Sequence, residues 1–226
     1  MQKTALLVGN TDGIGLATTK RLLTAGWNVI GISKSESSLQ HPSYSHRIGD
    51  VVDDDFSDLL DDILSPGAID LCGYFAGIGE LLNPLDMQNE PKIFDVNLTG
   101  MIKTAAKVVP CMVRNGQGHF LGISSLADEL VSAEAPSYTA SKAGFSNYLS
   151  GLSLALKPKG IYVTNVRFGF VDTKMAKGDF KPFLMSVEKA VDHLEYCFHK
   201  KPRRHTAPKI MIPLVKVQKL ATLISG

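Results

Sequence analysis

The sequence is poor in the residues that build disulfide scaffolds and metal centres. Its 226 residues include only three cysteines, Cys72, Cys111 and Cys197, which are widely spaced and form no CxxC pair. An odd number of isolated cysteines, with no histidine at ligand spacing, argues against a disulfide framework and against a zinc site. We therefore expect a protein without a bound metal, in a reducing compartment.

Long apolar runs and an excess of one charge are also lacking. No run approaches the ~18 residues of a membrane span, and the apolar stretch after Lys3 is too short for the core of a signal peptide. With 24 basic and 22 acidic residues the formal net charge is +2, too small to predict a nucleic-acid-binding surface. These absences predict a cytoplasmic protein with no transmembrane segment and no nucleic-acid partner.

What the chain does contain is an alternation of short β-rich runs with longer helical patterns. This alternation is typical of βαβ units and predicts an α/β fold, a doubly wound parallel sheet of about seven strands between two layers of helices. The predicted strands are Thr4–Val8, Asn28–Ile32, Tyr44–Ile48, Ile69–Phe75, His119–Ser124, Ile161–Val166 and Lys209–Ile212. The predicted helices are Gly13–Ala25, Asp53–Leu64, Pro91–Arg114, Pro136–Leu156 and Ser186–His199.

A glycine-rich segment, GNTDGIG, follows the first predicted strand and opens the first helix. Glycines in this context allow a tight turn and let the backbone approach a pyrophosphate at the positive end of the helix dipole. The segment is GxxxGxG, because Thr18 stands where a GxGxxG motif has its third glycine. It either binds a dinucleotide or only turns the chain. The candidate cofactor-binding residues here are Gly9, Thr11, Asp12, Gly13, Ile14 and Gly15.

The end of the second strand favours NADP(H) over NAD(H). An acidic residue that accepts the ribose 2′-hydroxyl is expected about 20 residues past the loop, and that place holds Ser33 and Lys34. A hydroxyl and an ammonium suit a 2′-phosphate better than a diol. Glu36, two residues later, leaves NAD(H) open as the alternative.

A tyrosine and a lysine lie four residues apart on one predicted helix face, Tyr138 and Lys142. A nearby ammonium favours the phenolate and moves its pKa toward the working range of an acid/base catalyst. Ser125, at the end of the preceding strand, offers a hydroxyl to a substrate oxygen. Each of these residues also has an ordinary alternative, since YxxxK pairs occur on solvated helices and serines cap turns.

Taken together, these motifs resemble the short-chain dehydrogenase/reductase family in its compact form, over nearly the whole chain. The resemblance implies that Tyr138 is the general acid/base, that Lys142 lowers its pKa and holds the nicotinamide ribose, and that Ser125 orients the carbonyl or alcohol. It also implies that Asn97, in the stretch NLTG, is the fourth member of a catalytic tetrad and anchors a water in a proton relay to Lys142.

The resemblance also implies further cofactor contacts and a domain organisation. Asp50 and Val51 match the pair that contacts adenine, and the fourth strand is followed by Ala76 and Gly77. Gly169, Val171 and Thr173 match the segment that binds the nicotinamide carboxamide. The whole chain, 1–226, is then one NAD(P)-binding domain with a Rossmann-like, three-layer fold, in which 174–185 form a short substrate lid.

Three positions depart from the family pattern. Val8 replaces a threonine, YFAG at Tyr74–Gly77 replaces NNAG, and Phe168 replaces the proline before Gly169. We expect the two aromatic rings to repack the end of the fourth strand and Phe168 to loosen the turn beside the nicotinamide. Both changes are expected to affect cofactor affinity more than chemistry.

The tail, 199–226, combines the basic run HKKPRRH with apolar residues at near-helical spacing in Pro213–Ile224. Such a tail can lie on an anionic membrane surface as a peripheral contact, or it can pack on its own subunit or a partner. The resemblance further implies a homodimer or homotetramer, formed through the helices Pro91–Arg114 and Pro136–Leu156.

The predicted function is NADP(H)-dependent interconversion of a carbonyl and an alcohol on a small-molecule substrate. The alternative is a catalytically weak or inactive protein of the same fold that senses NADP(H). The altered Tyr74–Gly77 and Phe168 positions favour this alternative, and the intact tetrad opposes it.

Overall fold

The protein forms one parallel sheet of seven strands in a computed structural model that describes residues 2–65, 67–176 and 181–224. The strands are β1 (Thr4–Val8), β2 (Asn28–Ser33), β3 (Tyr44–Ile48), β4 (Leu71–Tyr74), β5 (Gly118–Ser125), β6 (Ile161–Phe168) and β7 (Arg204–Ala207). Their order across the sheet is β3-β2-β1-β4-β5-β6-β7. The winding reverses between β1 and β4, so the crevice for a ligand is expected at the carboxyl ends of these strands.

Helices cover both faces of the sheet. In the part of the chain that the structure describes, the α-helices are α1 (Gly13–Thr24), α2 (Phe56–Leu64), α3 (Asn89–Phe94), α4 (Gly100–Arg114), α5 (Pro136–Leu156), α6 (Val187–Lys200) and α7 (Met211–Ile224). Successive β1 residues face opposite layers: Leu6 packs with residues of α2, α4 and α5, whereas Leu7 packs with residues of α1 and α6. A strand buried on both faces is apolar along its covered length, as Ala5–Val8 are in β1, and the half-buried Thr4 stands at its start. The predicted α/β doubly wound sheet is confirmed.

The last strand lies elsewhere than the sequence pattern predicts. Lys209–Ile212 was expected to be a strand, but the sheet ends with β7, Arg204–Ala207, and α7 begins at Met211. An edge strand needs backbone pairing and only one buried face, so the polar sequence RHTA suffices. The Arg204 guanidinium also lies 3.8 Å from the Glu129 carboxylate. The apolar residues after it instead open a helix. The other predicted strands agree with the structure within two residues.

The basic run of the tail, HKKPRRH, is divided between the end of α6 and the start of β7. α6 ends at Lys200, and Arg204 begins β7. The side chains of α7 at Leu214, Val217 and Leu220 are exposed. Within the described ranges, no helix combines the length and apolar character that a membrane crossing requires.

Candidate active site

The loop after β1 packs so closely on its neighbours that two positions have no room for a side chain. Gly9 has a left-handed φ of +85°, and a Cβ there would lie 2.5 Å from the backbone nitrogen of Ala76. A Cβ at Gly15 would lie 2.1 Å from the carbonyl oxygen of Gly9. Glycine is required at both positions, because the first turn of α1 touches the loop and the loop touches the segment after β4.

The start of α1 carries a carboxylate. Asp12 is the cap residue, and its side chain accepts a hydrogen bond of 2.8 Å from the Gly13 amide. Lys174 lies 2.7 Å from the same carboxylate, and this bond, together with the Gly13 amide, lowers the pKa of Asp12. The Thr173 methyl group would lie 3.2 Å from a Cβ at Gly13. The segment after β6 therefore meets the glycine loop, with Thr11 and Ile14 half-buried beside it.

The two predicted 2′-phosphate residues face in different directions. Ser33 is buried, and its hydroxyl accepts a bond of 3.0 Å from the Asn10 amide, so it holds the glycine loop in place. Lys34 is exposed and lines a cleft of about 410 Å³ at the carboxyl ends of β2 and β3. The remaining lining residues of this cleft are Ile48, Gly49, Asp50, Asp53, Asp55 and Leu59.

The predicted adenine pair is also divided. Asp50 lines the cleft beside Lys34. Val51 is buried in the core, where a Cβ on Gly100 would come within 2.8 Å of its side chain. Asp50 therefore lies at the surface of the cleft, whereas Val51 packs in the hydrophobic core beneath it.

The catalytic candidates Ser125, Tyr138 and Lys142 meet at the carboxyl end of β5. Lys142 Nζ donates a hydrogen bond of 3.0 Å to the Ile123 carbonyl and lies 5.9 Å from the centre of the Tyr138 ring. The Ser125 hydroxyl accepts a bond of 3.1 Å from the Ala127 amide and forms a hydrogen bond with the Tyr138 side chain. The helical spacing of α5 brings the phenol and the ammonium to the hydroxyl that ends β5.

Asn97 joins this group through a break in the helix that carries it. The sequence predicted a continuous helix, Pro91–Arg114, but α3 and α4 are separated by a five-residue π-helical turn, Asp95–Thr99. The Asn97 amide donates to the Ile78 carbonyl at 2.9 Å and accepts from the Ile78 amide at 2.8 Å. It also donates to Ser141 Oγ at 3.0 Å, between Tyr138 and Lys142 on α5. The wider turn thus ties the loop after β4 to α5.

The loop that Asn97 holds runs directly over the catalytic side chains. A Cβ at Gly77 would lie 3.4 Å from Asn97 Oδ1 and 3.7 Å from Lys142 Nζ. A Cβ at Gly79 would lie 3.1 Å from the Tyr138 ring. Ala76 begins this loop and donates its amide to Val8 at 3.1 Å. The four tetrad candidates and the Ala76–Gly77 segment therefore belong to one site.

Burial sets the electrostatics of this site. It lowers the pKa of Lys142 to about 8, although the charge of Asp128 opposes the change. Burial also raises the pKa of Tyr138, which Asp128 raises further and Ser125 lowers. The sequence argument expected the ammonium to lower the pKa of the phenol. Instead, loss of solvation is the largest effect on the phenol, and it raises the pKa of Tyr138.

The aromatic residues that depart from the family pattern are fully built into the fold. Tyr74 is buried, and its hydroxyl donates a bond of 2.6 Å to the Val96 carbonyl in the π-helical turn. Phe168 is buried beside the His193 ring and is paired with β5 and β7. A proline there could not donate an amide to the ladder. The expected loosening of this turn is not what the structure shows, since Gly169 continues the pairing with a bond of 2.9 Å to Ala207.

Replacing Tyr74 with Phe is expected to destabilise the protein by roughly 1–2 kcal/mol, because a buried carbonyl loses its donor. Chemical denaturation measures this difference. Tyr162→Phe is the matched control, since Tyr162 is 48% exposed and its change in the free energy of unfolding should stay within about 0.5 kcal/mol. Equal stabilities for Tyr74→Phe and the parent protein would contradict the assignment of this bond.

The predicted lid is anchored at its far end. Met185 and the segment after β6 exchange backbone bonds, with the Asp172 amide 2.9 Å from the Met185 carbonyl. Val171 is buried beside them. At the near end, a Cβ on Gly77 would lie 3.5 Å from Met175 Cε, so Met175 is close to the tetrad. Residues 177–180 of the predicted lid lie outside the described residues.

Sequence reasoning missed three polar residues that organise the site. Asn10 is buried in the glycine loop and donates a bond of 2.6 Å to the Tyr44 hydroxyl. Asp128 follows Ser125 by one turn and is paired with Arg167 of β6 inside the protein. A lone arginine in the apolar strand IYVTNVRF is the one signal that could have drawn attention to this pair.

Comparisons with known proteins agree with this architecture. The family model described as short chain dehydrogenase matches residues 3–182. An uncharacterized oxidoreductase of Myxococcus xanthus is 37% identical over 130 residues, which are 56% of this chain and 51% of that protein. The 3-oxoacyl-(acyl-carrier-protein) reductase of Vibrio cholerae is 27% identical over 191 residues, which are 77% of this chain and 76% of the other.

A solved structure extends the likeness at the level of the fold. A short chain dehydrogenase from Burkholderia cenocepacia, in complex with NADP, has a TM-score of 0.85 and 22% sequence identity, over 98% of this chain and 94% of the other. At this identity the likeness shows a shared fold and nothing more. The sequence match to the family model, in contrast, spans most of the chain. We therefore conclude that this protein belongs to the short chain dehydrogenase family of oxidoreductases.

Proposed function

We propose that this oxidoreductase interconverts a carbonyl and an alcohol with NADP(H), and that Tyr138 is its general acid/base. The observation that carries the proposal is the meeting of Ser125, Tyr138 and Lys142 at the end of β5. Lys142 Nζ lies 5.9 Å from the centre of the Tyr138 ring, and Asn97 fixes the loop that covers both. A hydroxyl, a phenol and an ammonium in one buried site can bind a substrate oxygen and move a proton to it.

Each side chain has a separate task in this proposal. Ser125 donates its hydroxyl proton to the substrate oxygen, since its lone pair already accepts from Ala127. Tyr138 gives its proton to the same oxygen as the carbonyl is reduced. Burial raises the pKa of Tyr138 above its ordinary value, so the phenol carries the proton that this step uses. The nicotinamide cofactor, when bound, exchanges a hydride with the substrate carbon.

The residues around the glycine loop fit a dinucleotide. Gly9 and Gly15 let the loop pack against Ala76 and the first turn of α1, and the loop ends at the amino end of α1, where backbone amides can receive a phosphate. Lys34 supplies an ammonium for a 2′-phosphate in the cleft beyond β2. Asp50 faces the same cleft as an acceptor for the adenosine. We propose that these residues hold the adenosine half, and that Gly169, Val171 and Thr173 hold the nicotinamide half.

Removal of the Lys34 ammonium is expected to weaken NADPH binding about tenfold and to leave NADH binding nearly unchanged. Fluorescence titration of Lys34→Ala with both cofactors measures the two affinities. Lys159→Ala is the matched control, because Lys159 is exposed in the turn that leads into the amino end of β6, whereas the cleft lies at the carboxyl ends of β2 and β3. Equal losses for both cofactors, or tighter binding of NADH than NADPH by the parent protein, would contradict the preference.

Turnover is tested by following NADPH oxidation with ketones, aldehydes, quinones and 3-oxoacyl thioesters. The last class is included because the Vibrio cholerae relative is described as a 3-oxoacyl reductase. We expect at least one of these carbonyl classes to be reduced. If NADPH binds and no carbonyl in the panel is reduced, the result favours the alternative, a catalytically weak or inactive protein that senses NADP(H).

A further inference from the structure

A buried ion pair lies behind the tetrad. Asp128 belongs to the short 3₁₀ turn Leu126–Glu129, which follows Ser125 directly. Arg167 Nε donates a bond of 2.7 Å to the Asp128 carboxylate, and Arg167 Nη2 bonds its second oxygen. The side chain of Asp128 is 1% exposed and that of Arg167 is 3% exposed. The pair therefore lies inside the protein, between the turn and β6.

A buried ion pair is weak evidence for a stabilising role. Removing two charges from water costs about as much as their attraction returns, and apolar residues of similar size often serve the fold equally well. The carboxylate of Asp128 also accepts a hydrogen bond from Ser146 of α5, and this contact points to a second role for the pair.

From Asp128 a chain of hydrogen bonds runs to the helix that carries Tyr138 and Lys142. Ser146 Oγ donates to the Asp128 carboxylate. Ser146 Oγ and Ser124 Oγ lie 2.7 Å apart, and because the Ser146 proton is given to Asp128, the Ser124 hydroxyl donates to Ser146. The same carboxylate therefore links the turn after Ser125, the end of β5 and the middle of α5.

The charge of Asp128 also reaches the two catalytic side chains. It raises the pKa of Tyr138 and opposes the lowering of the pKa of Lys142 that burial causes. Other ionisable groups lie around the same region. Glu129 is next to Asp128 and pairs with Arg167 of β6, and Arg204 of β7 lies 4.0 Å from the Asp128 carboxylate. On the side of α3, Glu90 accepts a hydrogen bond from Ser137 of α5.

We propose that Asp128 is a positioning residue of this active site: its carboxylate, bonded to Arg167 and Ser146, fixes the turn after Ser125 to the helix of Tyr138 and Lys142. The proposal rests on the proposed function for its meaning in catalysis. Its physical content is independent of any substrate, because the ionisation of a tyrosine can be measured directly.

The test removes both charges of the pair and measures the ionisation of Tyr138. The double variant Asp128→Asn/Arg167→Gln leaves no buried charge without a partner. Phenolate absorbance is recorded against pH for this variant and for the parent protein, and each curve is corrected with the same protein carrying Tyr138→Phe. Because Asp128 raises the pKa of Tyr138, we expect the phenolate to form at lower pH in the double variant.

Glu129→Gln is the matched control. Glu129 lies on the same turn and pairs with Arg167 at 2.6 Å, so the variant loses one negative charge next to Asp128. We expect it to titrate like the parent protein, because Asp128, Ser146 and Ser124 keep their contacts in this variant. An unchanged or raised phenolate titration in the double variant, or an equal shift in Glu129→Gln, would overturn the proposal.

Ser146→Ala gives a second test that keeps both charges and does not depend on folding of the double variant. It breaks the hydrogen-bond chain between Asp128 and Ser124. With a substrate from the carbonyl panel, we expect kcat to fall about tenfold while NADPH affinity stays within about twofold. A parental kcat would overturn the positioning role. If no substrate is found at all, the proposed function fails, and the phenolate titration still decides the inference.

Discussion

Tyr138→Phe is expected to lower kcat/KM by about 10²–10⁴-fold while leaving NADPH affinity within about twofold of the parent value. The substitution removes one oxygen from a ring that is packed against the Gly77–Gly79 loop, so the shape of the site is kept. Without the phenol, no acid lies where Tyr138 would protonate the substrate oxygen. Steady-state NADPH oxidation and fluorescence titration measure the two quantities on the same preparation.

Tyr148→Phe is the control for this experiment. Tyr148 lies on the same helix and is only half-buried, so loss of its hydroxyl should leave turnover within about twofold. Parental turnover by Tyr138→Phe would falsify the assignment of Tyr138 as acid/base. Equal losses of turnover and NADPH binding would instead indicate a structural role for the hydroxyl.

Gly15→Ala is expected to destabilise the protein by about 3 kcal/mol, against the usual preference of helices for alanine. A Cβ at this position would lie 2.1 Å from the Gly9 carbonyl oxygen, which is backbone and has no free rotation to move away. Relief of the clash must separate α1 from the glycine loop. We therefore also expect NADPH affinity to fall by at least tenfold. Chemical denaturation and fluorescence titration measure the two effects.

The same substitution at Gly151 is the control, with the opposite sign expected. Gly151 lies in α5, and nothing within 4 Å would touch a Cβ there. Gly151→Ala should stabilise the protein by up to about 1 kcal/mol through helix propensity alone. If Gly15→Ala matched Gly151→Ala in stability, the close packing of the glycine loop on α1 would be refuted.

The layered fold could be predicted from the sequence because hydrophobic periodicity is a local property. Ala5–Val8 of β1 are all apolar, which matches a strand covered on both faces. Tyr138 and Lys142 share a helix face because they are four residues apart. The edge strand was misplaced for the same reason. β7 is polar and held by its backbone partners, so its own residues give no sign of a strand.

The arrangement around the tetrad could not be predicted in the same way. The π-helical turn at Asn97 leaves no trace in the apolar pattern of Pro91–Arg114, since it is held by bonds to Ile78 and Ser141, 19 and 44 residues away. The Tyr74 bond to Val96 is equally remote. Each depends on which segments the sheet brings together, and that information is absent from any short stretch of chain.

By itself, the sequence determined the alternation of strands and helices, the glycine loop after β1 and the identity of the acid/base candidates. Only the tertiary structure decided that Ser33 turns inward to Asn10 while Lys34 faces the cleft, and that Asp128 lies buried against Arg167. The physical reason is the range of the interactions. Periodicity acts between residues a few positions apart, whereas burial and electrostatics act between side chains that only the folded sheet makes neighbours.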